Sequence, residues 1–154
     1  MITVRITKHF RGTPLDSSKL RTLVRAICGR FEVREAVVSI GIVNDAEMSE
    51  LNMRFLGHEG TTDSLSFDLS DNADPEEAKI FDLIVNGELA AREGARRGHG
   101  ADAELALYVT HGLLHNLGFN DATAAQAKKM HRMEDEILQH QGYGFVYNSD
   151  AGAR

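Results

Sequence analysis

Leu-Ala-Leu-Tyr-Val-Thr-His-Gly-Leu-Leu-His-Asn-Leu-Gly-Phe-Asn-Asp, residues 105–121, sets the terms on which the rest of the chain is read. Leu105, Leu107, Val109, Leu113, Leu114 and Leu117 surround His111 and His115, so the pattern predicts a helix over 101–117 that is buried on most sides. Positions four apart share one helix face, and the two imidazoles can therefore offer ring nitrogens to a single ion. Gly118 is suited to end the helix and turn the chain back, which brings Asp121 within reach as a third ligand. Three protein ligands leave one coordination position open, where zinc lowers the pKa of water to roughly 7. Two histidines at helical spacing also arise by chance, but imidazoles on a buried helix need partners, and the apolar surroundings favour a metal site. In helical zinc peptidases a glutamate base follows the first histidine. Here that position is Gly112, which argues against peptide hydrolysis by that route.

The composition sets the outer limits. A chain of 154 residues is read as one domain, residues 1–154, burying roughly 68–70% of its unfolded surface, with 148–154 as a loose tail. Hydrophobic residues make up 42%, and no apolar run approaches the roughly 20 residues needed to cross a bilayer. Met1-Ile2-Thr3-Val4 breaks at once into Arg5 and Lys8, without the apolar stretch of a secretory signal, so a cytoplasmic protein is expected. Cys28 is the one cysteine, so an ion must be held by histidine and carboxylate rather than by a thiolate cluster. The net charge of -6 argues against a nonspecific coat on nucleic acid. Two local basic groups remain, Arg92, Arg96 and Arg97 in one predicted helix and Lys128, Lys129 and Arg132 in another. Each is equally well read as a solvated helix face.

Alternation predicts a strand over 2–6, and β-branched residues predict a second over 36–43. Between them, Asp16, Ser17 or Ser18 can cap a helix over 16–30 that places Leu20, Leu23, Val24 and Ile27 on one face. Asn44 or Asp45 can cap the next helix, along which Met48, Leu51 and Phe55 recur at helical spacing. Short strands are predicted at 64–67 and 80–85, separated by an acidic surface loop at 71–77 that contains Pro75, and helices over 88–97, 101–117 and 122–141 complete the chain. This order is not a regular alternation, and it predicts an α+β domain: a small mixed β-sheet packed on helices, one of them the buried metal helix. Met130, Met133 and Ile137 are expected in the core and His131 on the surface. Glu104, two turns before His111, either orients that ring or is a surface charge.

Taken together, Leu51-Asn52, Phe55, Thr62-Asp63, Leu65-Ser66-Phe67, Asp82-Leu83-Ile84-Val85, Ala103-Glu104-Leu105 and His111-Gly112-Leu113-Leu114-His115 through Gly118 occur in the order seen in the YbeY family. The resemblance runs from about residue 36 to 140. It implies a metal-dependent endoribonuclease that acts in ribosomal RNA maturation, with ribosomal RNA and the small ribosomal subunit as partners and Zn2+, or another divalent ion, as cofactor. Two departures stand out. The family's metal motif ends in a third histidine where this chain has Asp121, whose charge should make a zinc-bound water less acidic and tilt the site toward ions that accept oxygen ligands. The family also carries an arginine after the aromatic residue matching Phe55, and here that position is Leu56. A cation beside a cleaving phosphate contributes roughly 2–4 kcal/mol by analogy with oxyanion donors, so Arg54 and His58 are the nearby catalytic candidates. The competing expectation is a ribosome-associated RNA- or protein-binding module whose metal is chiefly structural.

Overall fold

The computed structural model describes residues 1–12, 15–71, 74, 76–144 and 146. Its elements run β1 (Ile2–Lys8), α1 (Ser17–Arg30), β2 (Ala36–Val43), α2 (Asp45–Leu56), β3 (Ser64–Asp68), β4 (Lys79–Asn86), α3 (Gly87–Arg97), α4 (Ala101–Asn116) and α5 (Ala124–His140). The expected loose tail at 148–154 lies outside the described residues, as does Pro75 of the acidic loop. Among the described residues no helix is long and apolar enough to cross a membrane.

The four strands form one mixed sheet in the order β1-β2-β4-β3. β1, β2 and β4 are parallel, which requires crossovers, and α1 supplies the first of them; β3 runs antiparallel along the β4 edge. Alternation sorts the two faces. Ala36, Val38, Ile40 and Ile42 of β2, with Phe81, Leu83 and Val85 of β4, enter the main core, where they meet Leu20, Leu23, Val24 and Ile27 of α1. A second, smaller cluster of Val43, Met48 and Leu65 lies beneath α2 on the other face. Phe55 continues the α2 stripe but stays 53% exposed, where α2 ends beside the outermost strand and Phe67 meets its ring edge-on.

α4 is apolar nearly all round, and eleven of its 16 residues are buried. It packs on β3 and β4, with α1, α3 and α5 beside it. Two glycines allow the close approaches. A Cβ at Gly112 would meet Leu83 Cδ2 at 2.9 Å, and one at Gly94 would lie 2.4 Å from the Gly100 backbone, where α3 touches the start of α4. The flexible leucine tip can give way, whereas the Gly100 backbone cannot. Gly94→Ala is therefore expected to cost about 2 kcal/mol and to lower the melting temperature by about 4–8 °C. Gly29 in α1 has open space at its missing Cβ, so Gly29→Ala should stabilise by about 0.5–1 kcal/mol. Thermal unfolding followed by circular dichroism checks both, and a Gly94→Ala protein that melts like the parent contradicts the tight α3/α4 crossing.

Candidate metal centre

α4 ends in a cap that sets the geometry of the site. Gly118 adopts φ 100, a conformation open to glycine, and its N–H donates to the His115 carbonyl at 3.0 Å while the Phe119 N–H donates to the Leu114 carbonyl at 3.0 Å. This paired closure turns the chain sharply. It returns Asp121 over the last turn of the helix, where its Oδ2 lies 3.5 Å from Nε2 of both His111 and His115. The two Nε2 atoms are 3.1 Å apart.

The tautomers follow from what each Nδ1 touches. His115 Nδ1 lies 3.0 Å from the Phe119 carbonyl, an acceptor only, so it must carry the hydrogen. His111 Nδ1 donates in the same way to Glu134 Oε2 at 2.7 Å. With the rings neutral, both Nε2 atoms then present lone pairs, and together with Asp121 Oδ2 they form three acceptors facing one another. A cation among them resolves that repulsion. Bonds of about 2.0–2.2 Å to a tetrahedral ion put ligand atoms about 3.3–3.6 Å apart, close to the separations found here. Two imidazoles and one carboxylate thus fit a divalent ion of the zinc type, and the loop position of Asp121, 41% exposed, leaves the site accessible.

Glu134 of α5 holds the arrangement from behind. Its side chain is 1% exposed, and its other oxygen accepts from His131 Nδ1 at 2.6 Å. The expected surface position of His131 is therefore corrected: the ring is largely buried and stacks on His111 with centroids 6.4 Å apart. Burial opposes protonation of His111. That is the largest single influence on the ring, but the Glu134 hydrogen bond and the charges of Glu134, Asp63 and Asp121 together outweigh it and hold the His111 pKa above the ordinary imidazole value. In the sequence Glu134 stands only as part of an acidic run in a helix. Its spacing to His131 was visible, but the ring it supports lies on another helix.

Other expectations are corrected as well. Glu104 is neither a surface charge nor the orienter of His111, because at 2% exposure it is held by Arg97 Nη1 at 3.2 Å and by His99 Nε2. The basic group of α3 is consumed internally: Arg92 pairs with Asp45, whose carboxyl it holds well below the usual range, Arg96 with Glu93, and Arg97 with Glu104. Arg54 stands in the last turn of α2 and bonds Glu50 at 3.0 Å, His58 is exposed in the loop beyond Gly57, and Leu56 is 50% exposed. The donor set brings neither Arg54 nor His58 together with His111, His115 and Asp121. Met130 and Ile137 are buried, with Met133 packed against the core.

A family model described as Endoribonuclease YbeY matches residues 6–142. Proteins named Endoribonuclease YbeY from Nocardioides sp. and Moorella thermoacetica are 34% and 36% identical to this chain, each match covering 82% of it and 90% and 86% of the relative respectively. The solution structure of TM1509 from Thermotoga maritima has the same fold, with a TM-score of 0.57 at 22% identity over 90% of this chain and 91% of that one.

Removing the buried partner of a ligand histidine typically costs 10–100-fold in metal affinity. Glu134→Gln is expected to weaken Zn2+ binding by about that factor, measured by chelator competition at neutral pH, and an unchanged affinity would show that the Glu134 contact is irrelevant to the ion. A proton on His111 occludes its metal-binding lone pair. Since Glu134 raises the His111 pKa, the bound ion should begin to leave at a pH above that expected for an ordinary histidine ligand, and binding should recover as pH rises.

Proposed function

Because this chain belongs to the YbeY endoribonuclease family, we propose that it is a metal-dependent, single-strand-acting endoribonuclease of ribosomal RNA maturation, working in the cytoplasm on RNA of the small ribosomal subunit. The observation that carries the metal dependence is the convergence of three donor atoms of His111, His115 and Asp121 within 3.5 Å of one another. A divalent ion bound there would supply a Lewis acid and lower the pKa of water. Zinc suits two imidazoles and a carboxylate, and the carboxylate also suits iron or manganese.

The chain's own side chains do the rest. Glu134 and the Phe119 carbonyl fix both rings in one tautomer, so the donor atoms need no rearrangement when the ion enters. Arg54 and His58 are assigned to the phosphate. Arg54 is held only by an exposed i,i+4 pair with Glu50, an interaction worth about 0.3–0.5 kcal/mol, so little energy opposes its release toward an anionic strand.

One observation supports a second reading, that of a binding module with a structural ion: Leu56 stands half-exposed at the family's arginine position. A cleavage assay on ribosomal RNA fragments separates the two. The nuclease reading expects cleavage that is abolished by chelator and by His115→Ala; cleavage surviving in that variant rules out the metal-dependent route, and its absence with every divalent ion favours the binding module. Leu56→Arg should raise the rate about 30- to 900-fold if the missing cation limits turnover. A rate unchanged by that substitution would show that phosphate charge is neutralised elsewhere.

A further inference from the structure

A cavity of about 300 Å3 lies against His111, between α3, α4, α5 and the start of β3, with Leu89 and Leu107 as its apolar walls. Four carboxylates line it, and three are committed to partners. Glu93 of α3 bonds Arg96 at 2.8 Å, Glu104 of α4 holds Arg97 and His99, and Glu134 of α5 holds His111 and His131. Asp63 differs. Among the described residues its carboxylate has one hydrogen bond, with the Thr62 hydroxyl at 3.5 Å, and accepts from no backbone N–H.

The main chain around Asp63 is nevertheless fixed with care. Asn86, fully buried at the end of β4, donates its backbone N–H to the Asp63 carbonyl at 2.9 Å, and its Nδ2 bonds the Thr61 hydroxyl at 2.9 Å and the Thr62 carbonyl at 3.3 Å. A partly buried carboxylate is thereby held on a rigid backbone beside a donor histidine, with most of its roughly four acceptor sites unspent. Its charge is felt by both Tyr108 and His111 across the cavity. No stabilising role in the fold is visible for the side chain, because the clamp grips the backbone.

Resting on the nuclease reading above, we propose that Asp63 is the catalytic proton acceptor of the cleavage step. The oxygen of a water molecule in the cavity forms a bond to phosphorus while its proton passes to an Asp63 oxygen. The bond from phosphorus to the leaving ribose oxygen breaks, its electron pair stays on that oxygen, and the proton returned from Asp63 neutralises it. One phosphodiester and one water become a phosphomonoester end and a hydroxyl end. The other titratable and charged groups that line the cavity with Asp63 are Glu93 and Arg97 from α3, Glu104, Tyr108 and His111 from α4, and His131 and Glu134 from α5.

The test uses the full chain saturated with Zn2+ and a labelled single-stranded oligoribonucleotide. In D63N, kcat should fall at least a hundredfold while KM and Zn2+ affinity, read by chelator competition, stay within threefold, and the rise of kcat with pH on the acid side should flatten. D63E, which keeps the acceptor, should recover a tenth or more of the parent rate. D63A is read in parallel by the same criteria in case D63N does not fold. A folded D63N or D63A with kcat within threefold of the parent overturns the proposal, and so does a tenfold loss of Zn2+ affinity, which would make Asp63 part of the metal centre instead. A parent protein that cleaves nothing sinks the nuclease reading and this assignment together, whereas an active parent with an active D63N sinks the assignment alone.

Discussion

The convergence of two imidazole nitrogens and one carboxylate oxygen on a single point is the constraint around which the site is arranged. Nε2 of His111, Nε2 of His115 and Oδ2 of Asp121 repel one another at separations of 3.1 and 3.5 Å, and the fold holds them there nonetheless. Each restraint comes from a different level of structure. The helix supplies the i,i+4 spacing, the Gly118 turn returns Asp121, and Glu134 and the Phe119 carbonyl orient the rings. Donor atoms held in place in this way are preorganised for a cation, and affinity is not spent on assembling the ligands.

Burial of α4 makes that rigidity possible and also creates its difficulty. A helix inserted between sheet and helices cannot leave its polar side chains to water, so each needs a partner within the protein. Glu134 is satisfied by two histidines and Glu104 by Arg97 and His99. Of the arginines of α3, Arg97 is taken up in the same way by Glu104, whereas Arg92 and Arg96 stay more than half exposed beside Asp45 and Glu93.

The two departures from the family pattern push in one direction. Asp121 in place of a histidine adds a negative charge to the donor set, and Leu56 in place of an arginine removes a positive one from the end of α2. Both make the site less electropositive, which weakens Lewis acidity and the hold on a phosphate. A carboxylate such as Asp63, facing the same cavity as His111, gains importance in that setting, because a less acidic water depends more on a good proton acceptor.

The sequence by itself determined the elements and the donor set. Apolar periodicity, the Asp16 and Asn44 caps and the Gly118 turn act within one or two helical turns, so the nine elements of the described residues and the meeting of His111, His115 and Asp121 could be read from neighbours in the chain. Only the tertiary structure decided what surrounds them. Glu134 lies 23 residues from the ring it supports, Asn86 lies 25 from Thr61, and Arg92 lies 47 from Asp45, and these contacts exist because separate helices and strands are packed into one core. An acid looks alike in sequence whether it faces solvent or a histidine. Burial makes the difference, and burial is a property of the packed whole.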